Sequence, residues 1–284
     1  MSCYHPIRVP INKKRDGSPY RIRYTQEVGC GHCVGCRSDQ ARQWMIRLVH
    51  ESRLHVDSAF VTLTYDDEHL PRDPHGTLVP LHLTNFWKRL RERVGRLSYY
   101  ACGEYGELTK RPHYHAIIFG PHFGRKTDHE GRTFSTTIED VWKKGRTDIG
   151  SVTPASCSYV AGYVMKKQWA RARDDYYERV WPDTGEVFSV EPEFSRMSRR
   201  PAIGLDWISR WWPDVYPRDF VVIDGREMKP PRYYDKWMER FQPEIMADVK
   251  QKRYDDMEEI EPNVLRARET AHVTRNKLFS RGHL

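Results

Sequence analysis

Two histidines separated by one residue, His113 and His115, begin an apolar run, and this pattern constrains the fold more than any other feature of the chain. The apolar residues 116–119 are typical of a buried strand. Side chains two residues apart on a strand point to the same face of a sheet. The two imidazoles would therefore project side by side, which suits a shared metal ion. Surface or core histidines also reach this spacing by chance, so the interpretation needs support from other segments.

A carboxylate just upstream gives the first support. Residues 98–102 have the pattern of a strand, and turn residues separate this strand from the histidines. The resulting hairpin brings Glu104 beside His113 and His115. Two histidines and one carboxylate leave coordination positions open for a substrate phosphate oxygen, as a catalytic metal site requires. We interpret Glu107 as a solvated acid of the turn.

A predicted helix gives the second support. Thr153 and Pro154 suit the N-cap and the first helical position. At about 100° per residue, two phenols and two amines then share one helical face. These side chains are Tyr159, Tyr163, Lys166 and Lys167. An amphipathic helix with two aromatics at the edge of a core would give the same pattern.

Together these segments resemble the HUH endonucleases, which initiate rolling-circle replication, conjugation and some transposition. The alternating strand at residues 60–65 resembles their first motif, the two histidines their second, and Tyr-x-x-x-Tyr with its lysines their third. The paired tyrosines are similar to those of two-tyrosine replication initiators, including the gene A proteins of microviruses. The cysteine-rich N-terminus and residues 198–204 resemble the replication initiation proteins of gokushoviruses, a microvirus subfamily.

This resemblance implies an α+β fold, in which a central antiparallel sheet carries helices on one side as an HUH/RRM-like nuclease core. It implies that Glu104, His113 and His115 hold Mg²⁺ or Mn²⁺ as the catalytic metal. Tyr159 or Tyr163 would attack the scissile phosphate and form a 5′-phosphotyrosine. Either Lys166 or Lys167 would stabilise the developing charge. The same chemistry would later rejoin the strand.

The resemblance also implies the partners. Phage origin DNA would be the substrate, and Lys plus Arg at 47 against Asp plus Glu at 39 give a net charge of +8 that favours a polyanion. Residues 120–126 have the wrong spacing for a phosphate-binding loop, so a host helicase and DNA polymerase would be needed. Because the sequence shows no long apolar run and no signal peptide, we expect no membrane association and a location in the bacterial host cytoplasm.

Motif order predicts three regions. Residues 1–55 would form an N-terminal cysteine-containing segment and helix, residues 56–170 the endonuclease core, and residues 171–284 a mixed or helical extension. The patterns predict helices at 39–54, from 84 or 85 to 95, and at 138–143, 155–167, 207–212 and 234–241; strands at 59–65, 98–102 and 148–152; a polar loop at 121–136; and a charged segment from 246, helical or partly disordered.

Four N-terminal cysteines have metal-ligand spacing: Cys3, Cys30, Cys33 and Cys36. They suit a structural four-thiolate zinc site, in which His5 or His32 could replace one cysteine. The two-residue gaps also occur in iron–sulfur ligation. Free thiols in a tight, glycine-rich turn are the remaining interpretation. Cys102 and Cys157 are predicted to be ordinary core residues.

Two other functions stay open at this point. A transposase or relaxase would share the catalytic groups and act on a different DNA target. A non-enzymatic single-strand binder with an RRM-like sheet would need neither the histidines nor the tyrosines in reactive positions. Nicking of origin DNA distinguishes an enzyme from a binder.

Overall fold

The structure, a computed structural model, describes residues 3–13, 19–71, 76–120, 122–170, 177–181, 183–256 and 260–280. Of residues 10–13, 19–26, 163–170 and 279–280 it describes the backbone alone. The chain forms two compact units, one of residues 41–252 and one of residues 1–40 with 253–284. The three regions expected from the sequence stay a prediction.

The described elements alternate between strands and helices. The strands are β1 (Ile7–Lys13), β2 (Pro19–Val28), β3 (Asp57–Thr64), β4 (Ser98–Tyr105), β5 (Pro112–Gly120), β6 (Arg125–Thr127), β7 (Thr133–Ser135), β8 (Thr147–Ser151), β9 (Glu178–Val180), β10 (Val187–Ser189), β11 (Phe194–Met197), β12 (Val221–Ile223) and β13 (Arg226–Met228). The helices are α1 (Val34–Ser52), α2 (Pro80–Val94), α3 (Thr136–Trp142), α4 (Pro154–Ala170), α5 (Leu205–Val215), α6 (Arg232–Phe241), α7 (Pro243–Asp255) and α8 (Pro262–Ser280).

A five-stranded antiparallel sheet forms the centre of the larger unit, in the order β11-β4-β5-β3-β8. Strand β3 alternates regularly between buried and half-buried residues, as the sequence predicts for residues 59–65. The predicted α+β fold with a central antiparallel sheet is confirmed. Strands β4 and β5 are buried along almost their whole length, so both faces of the sheet are covered.

The helices pack on both faces of this sheet, so the expectation of helices on one side is wrong. On β5, Tyr114 and Ile118 contact a core built with α2 and α3. Ile117 and Phe119 point to the other face and join a core built with α1, α4, α5 and α6. The physical reason is the two-residue period of a strand, because apolar residues at both parities need cover on both faces.

Helix α2 begins at Pro80, earlier than the predicted start at residue 84 or 85. Val79 is extended and Pro80 occupies the first turn, where its missing amide proton costs nothing. The Thr84 hydroxyl donates to the Pro80 carbonyl (3.0 Å), which is the bond of an interior threonine and not of a cap. Burial of Leu83 adds the extra turn to the core.

The predicted polar loop at residues 121–136 contains a small hairpin, β6–β7, and the start of α3. Ser135 ends β7 and also caps α3, since its hydroxyl accepts the Ile138 amide (3.4 Å). A charged two-stranded ribbon carries few apolar residues, which explains why periodicity gave no strand signal here.

The smaller unit joins the β1–β2 hairpin, the start of α1 and helix α8. Its contacts converge on His272, whose two ring nitrogens bond the hydroxyls of Tyr4 (2.9 Å) and Ser38 (3.2 Å). His5 pairs with Glu269 on the same helix (2.6 Å). None of the helices in the described ranges combines the length and the apolar character needed to span a bilayer.

Candidate active site

Strand register brings the carboxylate and both histidines together on one face of the sheet. Glu104 on β4 lies directly opposite His113 on β5, and Cys102 lies opposite His115. Residues directly opposite in an antiparallel pair share a face. Glu104 Oε1 is therefore 2.7 Å from His113 Nε2 and 3.0 Å from His115 Nε2. The three side chains form a group with the spacing of metal ligands.

The hydrogen bonds of His113 fix what this group can bind. Nδ1 of His113 lies 3.2 Å from the carbonyl oxygen of Arg111, and a carbonyl only accepts, so Nδ1 carries a proton. In neutral imidazole, the lone pair of Nε2 then faces the carboxylate oxygen of Glu104. Two acceptors at that distance need a cation between them, either a proton or a metal ion. The donor set of two imidazoles and a carboxylate therefore fits a divalent metal.

Glu104 keeps its charge although its side chain is almost fully buried. Burial opposes ionisation, but hydrogen bonds and electrostatic attraction from His113 and His115 outweigh it and lower the pKa of Glu104 to about 2. The carboxylate is therefore available as an anionic ligand at any pH at which the protein functions. Glu107 of the same hairpin is exposed, as the sequence predicts.

Helix α4 brings Tyr159 to this group. The helix begins as predicted, because the Thr153 hydroxyl accepts the Ser156 amide (3.1 Å) and the Ser156 hydroxyl accepts the Thr153 amide (2.8 Å). Cys157 and Val160 anchor the helix in the core. Tyr159 remains 47% exposed. Its hydroxyl lies 3.4 Å from Glu104 Oε1 and 3.5 Å from His115 Nε2.

The other predicted catalytic residues lie on the same helix. The backbone of α4 includes Tyr163, Lys166 and Lys167, but their side chains lie outside what the structure describes. Tyr163 follows Tyr159 by one turn, about 6 Å along the axis at the usual rise. Their roles stay predictions.

Two supporting residues of the site were not singled out by the sequence analysis. The Thr62 hydroxyl is 3.0 Å from Nδ1 of His115 and so holds this ring with Nε2 towards Glu104. Phe60 stacks on the same imidazole, with ring centroids 5.5 Å apart. Both lie on β3, two residues apart, within the segment that resembles the first motif. Their signal was present in the register, because Thr62 pairs with His115.

The four N-terminal cysteines come together in the smaller unit. The sulfurs of Cys3, Cys30, Cys33 and Cys36 all lie within 4.8 Å of one another. Neither histidine offered as an alternative ligand belongs to this group among the described residues: His5 pairs with Glu269, and His32 is exposed. Cys102 and Cys157 are fully buried in the core, as predicted.

Comparison with known proteins identifies relatives along most of the chain. A profile of the replication-associated protein ORF2 family matches residues 58–168, which include the carboxylate, both histidines and both tyrosines. The replication-associated protein VP4 of Bdellovibrio phage phiMH2K is 34% identical over 266 residues, which cover 86% of this chain and 79% of the relative. The replication-associated protein ORF2 of Spiroplasma virus 4 is 33% identical over 288 residues, with 89% and 86% covered.

A third relative, the replication-associated protein ORF4 of Chlamydia phage 1, is 26% identical over 241 residues, which cover 77% of this chain and 55% of the relative. No solved structure matches the chain.

Proposed function

The chain belongs to the family of replication-associated proteins of gokushovirus-like microviruses, and we propose that it starts rolling-circle replication by nicking and rejoining one strand of the phage origin. One observation carries this proposal. The exposed hydroxyl of Tyr159 lies within 3.5 Å of both Glu104 and His115, in a group that has metal-ligand geometry. A nucleophile beside an open metal group is what phosphodiester transfer requires.

In this proposal Glu104, His113 and His115 would hold Mg²⁺ or Mn²⁺. When bound, the ion would act as a Lewis acid on the scissile phosphate. The chain itself supplies the orientation. Hydrogen bonds from Thr62 and to the Arg111 carbonyl turn the Nε2 atoms of both histidines towards the carboxylate. The protein thus provides three preset ligands and leaves room for a phosphate oxygen.

Tyr159 would attack the phosphorus. Its phenolic oxygen forms the new bond to phosphorus and loses its proton, while the bond to the 3′ oxygen breaks and that oxygen takes up a proton. The products are a 5′-phosphotyrosine and a free 3′-hydroxyl, which primes a polymerase. Free tyrosine has a pKa of about 10, so its attack needs help from nearby charge. We assign this help to Lys166 or Lys167, one to two turns further along α4.

Tyr163 would serve the second transfer. The phosphotyrosine keeps the energy of the cleaved bond, so a 3′-hydroxyl can attack it and reseal the strand. With two tyrosines on one helical face, one can hold the parental end while the other cuts the completed copy. This division of labour is the reason for proposing both residues as nucleophiles.

The partners follow from the same proposal. The net charge of +8 favours phage origin DNA as the substrate. The sequence has no Gly-rich phosphate loop, so a host helicase would open the duplex and a host polymerase would extend the 3′ end. The protein would act in the cytoplasm of the infected bacterium.

Incubation with 5′- and 3′-labelled single-stranded origin DNA tests the proposal. With Mn²⁺ we expect cleavage at one site, a free 3′-hydroxyl fragment, and a 5′ end that migrates with the protein on a denaturing gel. A scrambled oligonucleotide is the control for site specificity. Retention of the labelled DNA without any cleaved product would instead indicate a single-strand binding protein.

A further inference from the structure

The cysteine group in the smaller unit has the geometry of a four-sulfur metal site. Cys33 Sγ lies 3.9 Å from Cys3 Sγ, and all four sulfurs lie within 4.8 Å of one another. Tetrahedral zinc with Zn–S bonds of about 2.3 Å separates its sulfurs by about 3.8 Å. A disulfide would bring two of them to about 2.0 Å. None of the described cysteines forms a disulfide.

Backbone amides point at these sulfurs as they do at thiolates. Cys30 and Cys33 are linked by a tight loop in which Gly31 has a φ of +79°, a conformation that favours glycine. The Cys33 amide donates to Cys30 Sγ (3.3 Å), and the Cys36 amide donates to Cys33 Sγ (3.4 Å). The Cys30 amide donates to Cys3 Sγ (3.2 Å). Hydrogen bonds to sulfur stabilise the charged form that binds metal.

Cations and dipoles near the group offset its charge. Four thiolates around a divalent ion carry two net negative charges. Arg37 is buried and interacts electrostatically with Cys33 and Cys30. Cys33 immediately precedes α1 and Cys36 lies in its first turn, where the helix dipole favours negative charge. The surroundings are therefore built for an anionic cluster and not for four neutral thiols.

We propose that Cys3, Cys30, Cys33 and Cys36 bind one structural Zn²⁺. With all four positions filled by protein sulfur, this site has no open position for a substrate. The ion links three pieces of chain that share no secondary structure: the segment around Cys3, the loop at 29–33 and the start of α1. This link also holds Tyr4 and Ser38, which bond His272 on α8. Its role is therefore to hold the smaller unit together.

Metal analysis of the purified full-length protein tests this assignment. After dialysis against a weak chelator, we expect about one zinc per chain, lost in Cys33→Ser and in Cys36→Ser. Cys157→Ala is the matched control and should keep the zinc, because Cys157 lies in the other unit. The double variant His113→Ala/His115→Ala should also keep it, which separates this ion from any zinc held at the catalytic group.

Because a cysteine variant could fail to fold, the wild-type protein provides a second readout. Replacing zinc with Co²⁺ should give the intense sulfur-to-cobalt absorption of a four-thiolate tetrahedral site. A strong chelator should expose four more thiols per chain to a colorimetric thiol reagent. Iron with acid-labile sulfide in place of zinc would overturn the assignment. Metal-free protein with four reactive thiols from the outset would overturn it as well.

Discussion

The chain has two groups of side chains with metal-ligand chemistry, and the fold builds them in opposite ways. Glu104, His113 and His115 stand on paired strands, which fix their spacing and leave one side open beside Tyr159. The four cysteines come from loops and a helix start, and they surround a centre with sulfur alone. Three mixed donors on a rigid sheet suit catalysis, whereas four soft donors from separate segments suit folding.

The largest effect should follow from removing the imidazoles. In His113→Ala/His115→Ala we expect nicking to fall to background, because the carboxylate alone cannot hold a divalent ion in place. DNA binding should persist, since lysine and arginine grip the phosphates. Nicking assays and gel shifts on the same preparation measure both properties. Full nicking by this variant would show that the open group is not the catalytic one.

A smaller loss should follow from removing the hydrogen bond that orients His115. We expect Thr62→Val to lower nicking by roughly 10- to 100-fold, the range typical for partners of metal-ligating histidines. Thr64→Val is the matched control on the same strand, because its hydroxyl donates to the Arg146 carbonyl and not to an imidazole. Equal activities for the two variants would argue that His115 needs no orientation.

Charge at Glu104 should make stability depend on pH in metal-free protein. Its pKa in the folded state is about 2, below the ordinary value, so its contribution is complete above about pH 4.5 and lost as pH falls towards 2. This contribution is worth at most roughly 3 kcal/mol. Denaturant unfolding between pH 6 and 3 should show Glu104→Gln converging on the wild type as pH falls. Glu107→Gln, an exposed acid of the same hairpin, should run parallel to the wild type throughout.

The smallest effect on nicking should follow from breaking the cysteine group. Cys33→Ser should make residues 3–40 exchange their amide protons faster, since the metal link is lost. The strands that carry Glu104, His113 and His115 should keep their protection, and nicking should persist at low temperature. Hydrogen exchange and nicking assays measure the two outcomes. Loss of nicking with intact core protection would contradict the separation of roles between the two groups.

The sequence predicted contacts that depend on short spacing better than contacts that depend on topology. Glu104 and His113 are nine residues apart in one hairpin, so strand and turn patterns were sufficient to pair them. Tyr159 lies 44 residues beyond His115, and only the resemblance to a known family linked the two. Thr62 needed the register of β3 against β5. Local pattern does not specify register.

Cover on the second face of the sheet was missed for a related reason. The strand pattern shows that both parities of β5 are apolar, but it does not show which helices cover them. The edge strand β11 pairs with β4 across some ninety residues of sequence, beyond the reach of any local pattern. Such contacts are decided by the competition among all apolar faces for burial.

The identity of the nucleophile tests the central claim most directly. Wild-type protein should be incubated with origin DNA and Mn²⁺, digested with protease and nuclease, and mapped by mass spectrometry. We expect the nucleotide on Tyr159 or Tyr163, on Tyr159 alone in Tyr163→Phe, and on neither in the double Phe variant. Phenylalanine keeps the aromatic ring and removes only the hydroxyl, so loss of the adduct reports chemistry. An adduct on Tyr105, Tyr114 or a serine would contradict the account even if the DNA were still cut.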